Sequence, residues 1–161
     1  MNWQEVCDNP YLQDLPFKIE LNGYGQIVMS PPPRYLHGFF QSSIAHKLLD
    51  LKGKTGLAIS ECPIQTDDGV KVADVVWISL EKHQQYKNEI LLPIAPEICI
   101  EVLSPSNSQR EMNDKKALYF QAGAQEVWIC SEEGQMDFFT VNGKLEKSQF
   151  IPEFPDFIEN E

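Results

Sequence analysis

Two short apolar runs each carry one acid inside them: Asp74 in Val72-Ala73-Asp74-Val75-Val76-Trp77-Ile78, and Glu101 in Ile98-Cys99-Ile100-Glu101-Val102-Leu103. Runs this apolar and this rich in β-branched residues belong to central strands covered on both faces. An ionised carboxylate left there without a partner costs several kcal/mol, or its pKa rises until it is neutral. Something must therefore compensate both acids. If the two strands are neighbours, side chains on a shared face lie within about 5 Å of each other. Carboxylates that close repel unless a cation lies between them. Mg²⁺ suits such a place, because it takes oxygen ligands and is usually held by one or two carboxylates with water and substrate phosphate. The alternative is that each acid sits at a strand end, exposed or paired with a structural Arg or Lys.

The rest of the chain supplies the frame. Residues 1–16 read as irregular, and Phe17 to Ser30 as a hairpin turning at Asn22-Gly23-Tyr24-Gly25. The prolines Pro31, Pro32 and Pro33 stop that strand and lead into a helix. Leu36, Phe39, Phe40, Ile44, Leu48 and Leu51 recur at helical steps and end near Gly53. Strands follow at Leu57–Cys62, Val70–Leu80 and Glu97–Leu103, with a polar, Pro-punctuated connection over 81–95. After a turn at Ser104-Pro105-Ser106-Asn107, a helix runs to about Ala122. Then come a strand at Val127–Cys130 and two weaker ones around Asn142-Gly143. This order describes an α/β fold, a mixed sheet with helices packed on it. The domain spans 17–150, with an N-terminal segment over 1–16 and an acidic C-terminal tail over 151–161.

Composition narrows the function. The chain has 161 residues and a formal net charge of −11, which gives no sign of the basic face that grips phosphate by charge alone. Bound cations that offset the charge remain compatible with it. Cys7, Cys62, Cys99 and Cys130 are too scattered for zinc or a redox pair. No apolar run reaches the roughly 20 residues of a membrane span, and the N-terminus lacks signal-peptide character. The expected location is the cytoplasm.

The second helix carries further chemistry. Ser108-Gln109-Arg110-Glu111 fits a capping box. Lys115 and Lys116 follow, and periodicity alone leaves open which of them points at the sheet. Beside an acidic pair, one of them could stabilise developing charge or orient attacking water. Trp77 and Trp128, both in strands, read as core residues.

Together these residues carry a resemblance. Val72-Ala73-Asp74, Glu101-Val102-Leu103-Ser104-Pro105-Ser106 and Lys115-x-x-x-Tyr119-x-x-x-Gly123-x-x-Glu126-Val127-Trp128 resemble the Uma-type endonuclease family of bacteria. That family is a domain of unknown function within the restriction-endonuclease-like PD-(D/E)XK superfamily. Glu20-Leu21-x-Gly23, Met29-Ser30-Pro31-Pro32 and His37-Gly38 are similar to its N-terminal part, and the likeness runs from about 17 to 140.

The resemblance implies a restriction-endonuclease-like core and Mg²⁺-dependent phosphodiester hydrolysis, with Mn²⁺ as a substitute ion and nucleic acid, DNA first, as substrate. Asp74 and Glu101 match the two motif acids that hold the metal. The superfamily lysine lies two residues after the second acid, where this chain has Leu103. Counting four back from Tyr119 selects Lys115 instead. Glu20 matches an acidic position that would complete the site, and His37 a recurring position that would meet a phosphate or cap a turn. Ala73 stands where the motif has proline. Analogy with nucleases that cut two strands with two subunits points to a homodimer. Two other readings stand beside the nuclease: a catalytically inactive module that binds protein or nucleic acid, and a buried ion-pair network with no ligand.

Overall fold

In the computed structural model, which describes residues 1–161, the N-terminal segment is ordered. It forms α1 (Trp3–Asp8) and a 3-10 turn at Pro10–Leu12. The expectation of an irregular 1–16 fails for a physical reason. A reciprocal capping box between Asn2 and Glu5 closes the helix start, so six residues hold a helix with only Val6 buried and no apolar stripe to read.

The hairpin follows as β1 (Lys18–Leu21) and β2 (Ile27–Ser30), an antiparallel pair. Next come α2 (Tyr35–Lys52), β3 (Gly56–Thr66), β4 (Gly69–Ser79), α3 (Leu80–Tyr86) and β5 (Ile98–Val102). The chain continues through α4 (Gln109–Gln121), β6 (Glu126–Cys130), β7 (Met136–Thr140) and β8 (Gly143–Leu145). Strands β3 to β8 form one six-stranded sheet in sequence order. All neighbours are antiparallel except β5 and β6, which run parallel because α4 carries the chain back between them. Strand β3 runs past Pro63, where the sequence suggested a stop, because an edge strand tolerates the missing donor. The connection over 81–95 contains α3, capped by Ser79.

Each face of the sheet is covered. On one side Phe40, Ile44 and Leu48 of α2 pack with Val75, Trp77, Ile98, Ile100 and Trp128. The buried stripe of α2 is narrower than its apolar periodicity, since Leu36 and Leu51 near its ends are 41% and 40% exposed. Residues 151–158 belong to this layer: Ile151, Phe154 and Ile158 are buried in it, so the acidic segment packs into the core and does not trail from it. On the other side Met112 and Tyr119 of α4 meet Ala73, Val76, Cys99 and Val127. No helix is long and apolar enough to cross a membrane.

The N-terminal hairpin docks on β4 through a close turn-to-turn contact. Gly23 N–H donates to Asp68 Oδ1 at 2.8 Å. Gly69, at φ +77°, leaves no room for a Cβ against the backbone of Leu21 and Asn22. This contact fixes β1 beside the middle of β4.

Candidate active site

Asp74 sits at a one-position gap in the pairing of β4 with β3 and just past the end of its pairing with β5. Bridges to β3 exist at Ser60↔Val75 and Cys62↔Ala73, but none joins Glu61 to Asp74, and pairing with β5 ends at Val75↔Ile100. Glu61, opposite the gap, adopts φ 51°. The freed groups find other partners. The Asp74 carbonyl accepts from Gln41 Nε2 at 2.8 Å, and its carboxylate Oδ2 accepts from the Val102 N–H at 2.7 Å. Continuing the register sets Asp74 opposite Glu101, on the strand pair the apolar runs suggested.

Along β5, Ile98, Ile100 and Val102 face the α2 layer, so Glu101 faces α4. There the Lys115 ammonium lies 3.4 Å from Glu101 Oε1, and the Tyr119 hydroxyl donates to the same oxygen. Lys115, Met112 and Tyr119 are the buried side chains of α4. Lys116 points elsewhere, with its ammonium 3.7 Å from the centre of the Phe139 ring. The helix start keeps half of its expected box. Ser108 Oγ accepts from Glu111 N–H, while the Glu111 carboxylate takes the Asn107 side-chain amide in place of the Ser108 N–H.

Two residues of β1 reach the same place because they are two apart on one strand. Lys18 Nζ lies 2.8 Å from Asp74 Oδ1 and 3.9 Å from Glu61 Oε2. Glu20 Oε2 accepts from the Val72 N–H at 2.7 Å and faces Lys115 Nζ at 3.1 Å. From the first turn of α2, His37 Nε2 approaches Asp74 Oδ2 at 3.4 Å, while its buried Nδ1 has no partner.

Lys18, His37, Glu61, Asp74, Glu101 and Lys115 open onto one cleft of about 620 Å³. Its apolar wall is Leu15-Pro16-Phe17 and Pro31–Pro33, and its polar wall is the 104–107 turn. Glu20 lies behind Lys115, off the cleft surface. Lys18 was not legible as a site residue in the sequence. The available signal was its position two before Glu20, on the same strand face.

The two acids are driven apart in proton affinity. Burial works to raise the Asp74 carboxyl, but His37, Lys18 and the Val102 N–H together hold it well below the usual carboxylate range. Burial pushes Glu101 up to about 7, opposed by Lys115 and reinforced by the Asp74 charge. Burial alone would lower Lys18 and Lys115. The charges of Glu101, Asp74 and Glu61 raise Lys18, and those of Glu101 and Glu20 raise Lys115, above the ordinary lysine value. The hydrogen bond to Asp74 raises His37. Opposed shifts on two acids in one cleft make Asp74 and Glu101 candidates for a functional site.

Do these residues suit a divalent cation? No three acid, histidine or cysteine side chains converge as a ready ligand cage. A hard cation that keeps its waters needs only one or two carboxylates. Both contacts to Glu101 fall on Oε1, which leaves Oε2 without a hydrogen bond on a residue that lines the cleft. The donor chemistry of Asp74 and Glu101 suits Mg²⁺ or Mn²⁺, with Glu101 Oε2 free and both Asp74 carboxylate oxygens already engaged.

No curated protein matches the chain. A crystal structure of a putative nuclease belonging to DUF820 from Anabaena variabilis ATCC 29413 is similar over 88% of this chain and 77% of that one, at 21% identity and a TM-score of 0.66. That likeness supports the fold. The Uma2 family, described as putative restriction endonuclease, matches residues 4–160, beyond both ends of the stretch the sequence motifs outlined. Since that match spans nearly the whole chain, the protein belongs to the Uma2 putative restriction endonuclease family.

Proposed function

We propose that this protein is a metal-dependent endonuclease that hydrolyses nucleic-acid phosphodiester bonds, DNA first, in the cleft between α2 and α4. The observation that carries this reading is the convergence of Asp74 and Glu101, from neighbouring strands, with the Lys115 ammonium 3.4 Å from Glu101. Asp74 and Glu101 would hold the ion, Mg²⁺ with Mn²⁺ as a substitute. A bound divalent cation supplies Lewis-acid polarisation of the scissile phosphate and lowers the pKa of an attacking water.

The remaining steps belong to the side chains. Val102 N–H and His37 fix the Asp74 carboxylate, and Tyr119 fixes Glu101, so both acids present their oxygens in one orientation. Lys115, held from behind by Glu20, would lend its positive charge to an attacking water or a phosphorane-like transition state. Arg34 lies on the same cleft without a salt bridge and is free to meet a neighbouring phosphate.

One feature favours a second reading. Both acids already have lysine partners within 3.4 Å, as in a closed ion-pair network or an inactive binding module. A plasmid assay separates the readings. Supercoiled DNA should be nicked with Mg²⁺ or Mn²⁺, spared with chelator, and cut at least about 100-fold more slowly by Asp74→Asn or Lys115→Ala. No metal binding by calorimetry, together with no cleavage of DNA or RNA, would overturn the nuclease reading.

A further inference from the structure

The oxygens of Asp74 are all engaged. Oδ2 receives the Val102 N–H at 2.7 Å and faces His37 Nε2 at 3.4 Å, while Oδ1 is taken by Lys18 Nζ at 2.8 Å. The Lys18 side chain is only 19% exposed, and its ammonium feels Glu101 and Glu61 as well as Asp74. A +1 group thus occupies the point toward which the acids of this site converge. Lys115 differs. It is anchored by Glu20 at 3.1 Å, and it leaves Glu101 Oε2 open.

We infer that Lys18 is a resident counter-cation which a divalent metal must displace from Asp74, with Glu61 as the seat that receives it. This rests on the metal-dependent reading above. A metal–oxygen distance of about 2.0–2.1 Å places the ion within a few ångströms of any ammonium still on Oδ1, and like charges at that range repel strongly in a partly buried site. The ammonium has somewhere to go. Glu61 Oε2 is already 3.9 Å from Nζ, its side chain is half exposed, and Gln41 Nε2 fixes its other oxygen at 2.8 Å. Without metal, Lys18 neutralises Asp74 and closes the site. With metal, the same charge moves to the mouth of the cleft, where three basic side chains otherwise face four acids. One exchange loads the ion and makes the entrance less repellent to a polyanion.

Mn²⁺ binding to the full-length protein tests this by calorimetry and by the EPR signal of the free ion. The set is wild type, Lys18→Met, Lys18→Arg and Asp74→Asn. Lys18→Met should bind Mn²⁺ at least about tenfold more tightly than wild type, since the competitor is gone. Lys18→Arg should bind no more tightly than wild type, and Asp74→Asn should lose binding. If wild type binds in an Asp74-dependent way and Lys18→Met binds equally or more weakly, this inference fails and the nuclease reading stands. If no variant binds Mn²⁺ at millimolar concentration, both fail. Should Lys18→Met fold poorly, the wild type decides alone. The slowly exchanging ammonium signal of Lys18 in a ¹⁵N-resolved spectrum should lose its protection on Mg²⁺ addition. A signal unmoved at saturating Mg²⁺ overturns the exchange.

Discussion

The Tyr119 hydroxyl donates to Glu101 Oε1, the same oxygen that the Lys115 ammonium faces at 3.4 Å. Two donors on one oxygen fix the carboxylate's orientation and leave the other oxygen, Oε2, without a hydrogen bond. Tyr119 is fully buried, and burial followed by the Glu101 charge pushes its phenol well above the usual range. It acts as a donor and not as an acid. Tyr119→Phe should therefore cost about 1–2 kcal/mol of stability and lower metal affinity by about 10–100-fold. Urea melts and Mn²⁺ titration check the two effects separately.

The opposed shifts of the two acids predict opposite pH signatures in metal-free protein. Burial raises Glu101 to about 7 from its ordinary 4.5, so its ionisation destabilises the fold as pH climbs through that window, with the full cost above it. Asp74 is held below its ordinary 3.8 by His37, Lys18 and the Val102 N–H. Its charge therefore stabilises the fold above that value and is lost in acid. Glu101→Gln should gain thermal stability relative to wild type at pH 8 compared with pH 5, by several degrees. Asp74→Asn should lose stability at both. Thermal melts at the two pH values, with chelator present, measure the signs.

Glu126 is buried without a cation, and four donors satisfy it: Trp128 Nε1, Ser148 Oγ and the N–H groups of Gln149 and Phe150. That carboxylate ties the start of the C-terminal segment to β6. Glu126→Ala leaves these donors without their acceptor and should cost about 3 kcal/mol or more. Hydrogen exchange should quicken first at Gln149 and Phe150, ahead of the strands.

Thiol reactivity should follow burial. Cys62 and Cys130 are pushed up to about 12 by burial. Cys99 is fully buried and raised well above its ordinary value. Cys7 alone is exposed. One thiol per chain should react with a mild alkylating reagent at pH 8 in native protein, and all four after denaturation.

Much of the core could be read in the sequence because its signals are periodic. The apolar runs around Asp74 and Glu101 are strands β4 and β5, three-and-four spacing marks α2, and a turn followed by a capping sequence marks α4. The carboxylates were conspicuous because nothing local could pay for their burial. Lys18 was silent for the opposite reason. A lysine in a four-residue strand looks like a surface charge until the Gly23–Asp68 contact brings that strand beside β4. Helix α1 was missed because a cap holds it and no stripe marks it. The acidic C-terminal segment could be read either as packed by Phe154 and Phe157 or as loose, because its apolar residues are interleaved with charges and prolines that show no single period; Ile151, Phe154 and Ile158 are the ones buried. Lys115 against Lys116 was undecidable by period alone, and the Phe139 ring that takes Lys116 comes from a strand later in the chain.

The bond from Val102 N–H to Asp74 Oδ2 has a consequence for how this site can be probed. Its donor is main chain, so every residue but proline supplies it. An alanine scan would pass over position 102 with no more than a packing effect, and a survey of variants would find the position permissive to many side chains. The anchor of the acid is nonetheless there, written into strand pairing and not into side-chain identity. Only chemistry that edits the backbone, such as an amide-to-ester exchange at that one linkage, would make it visible.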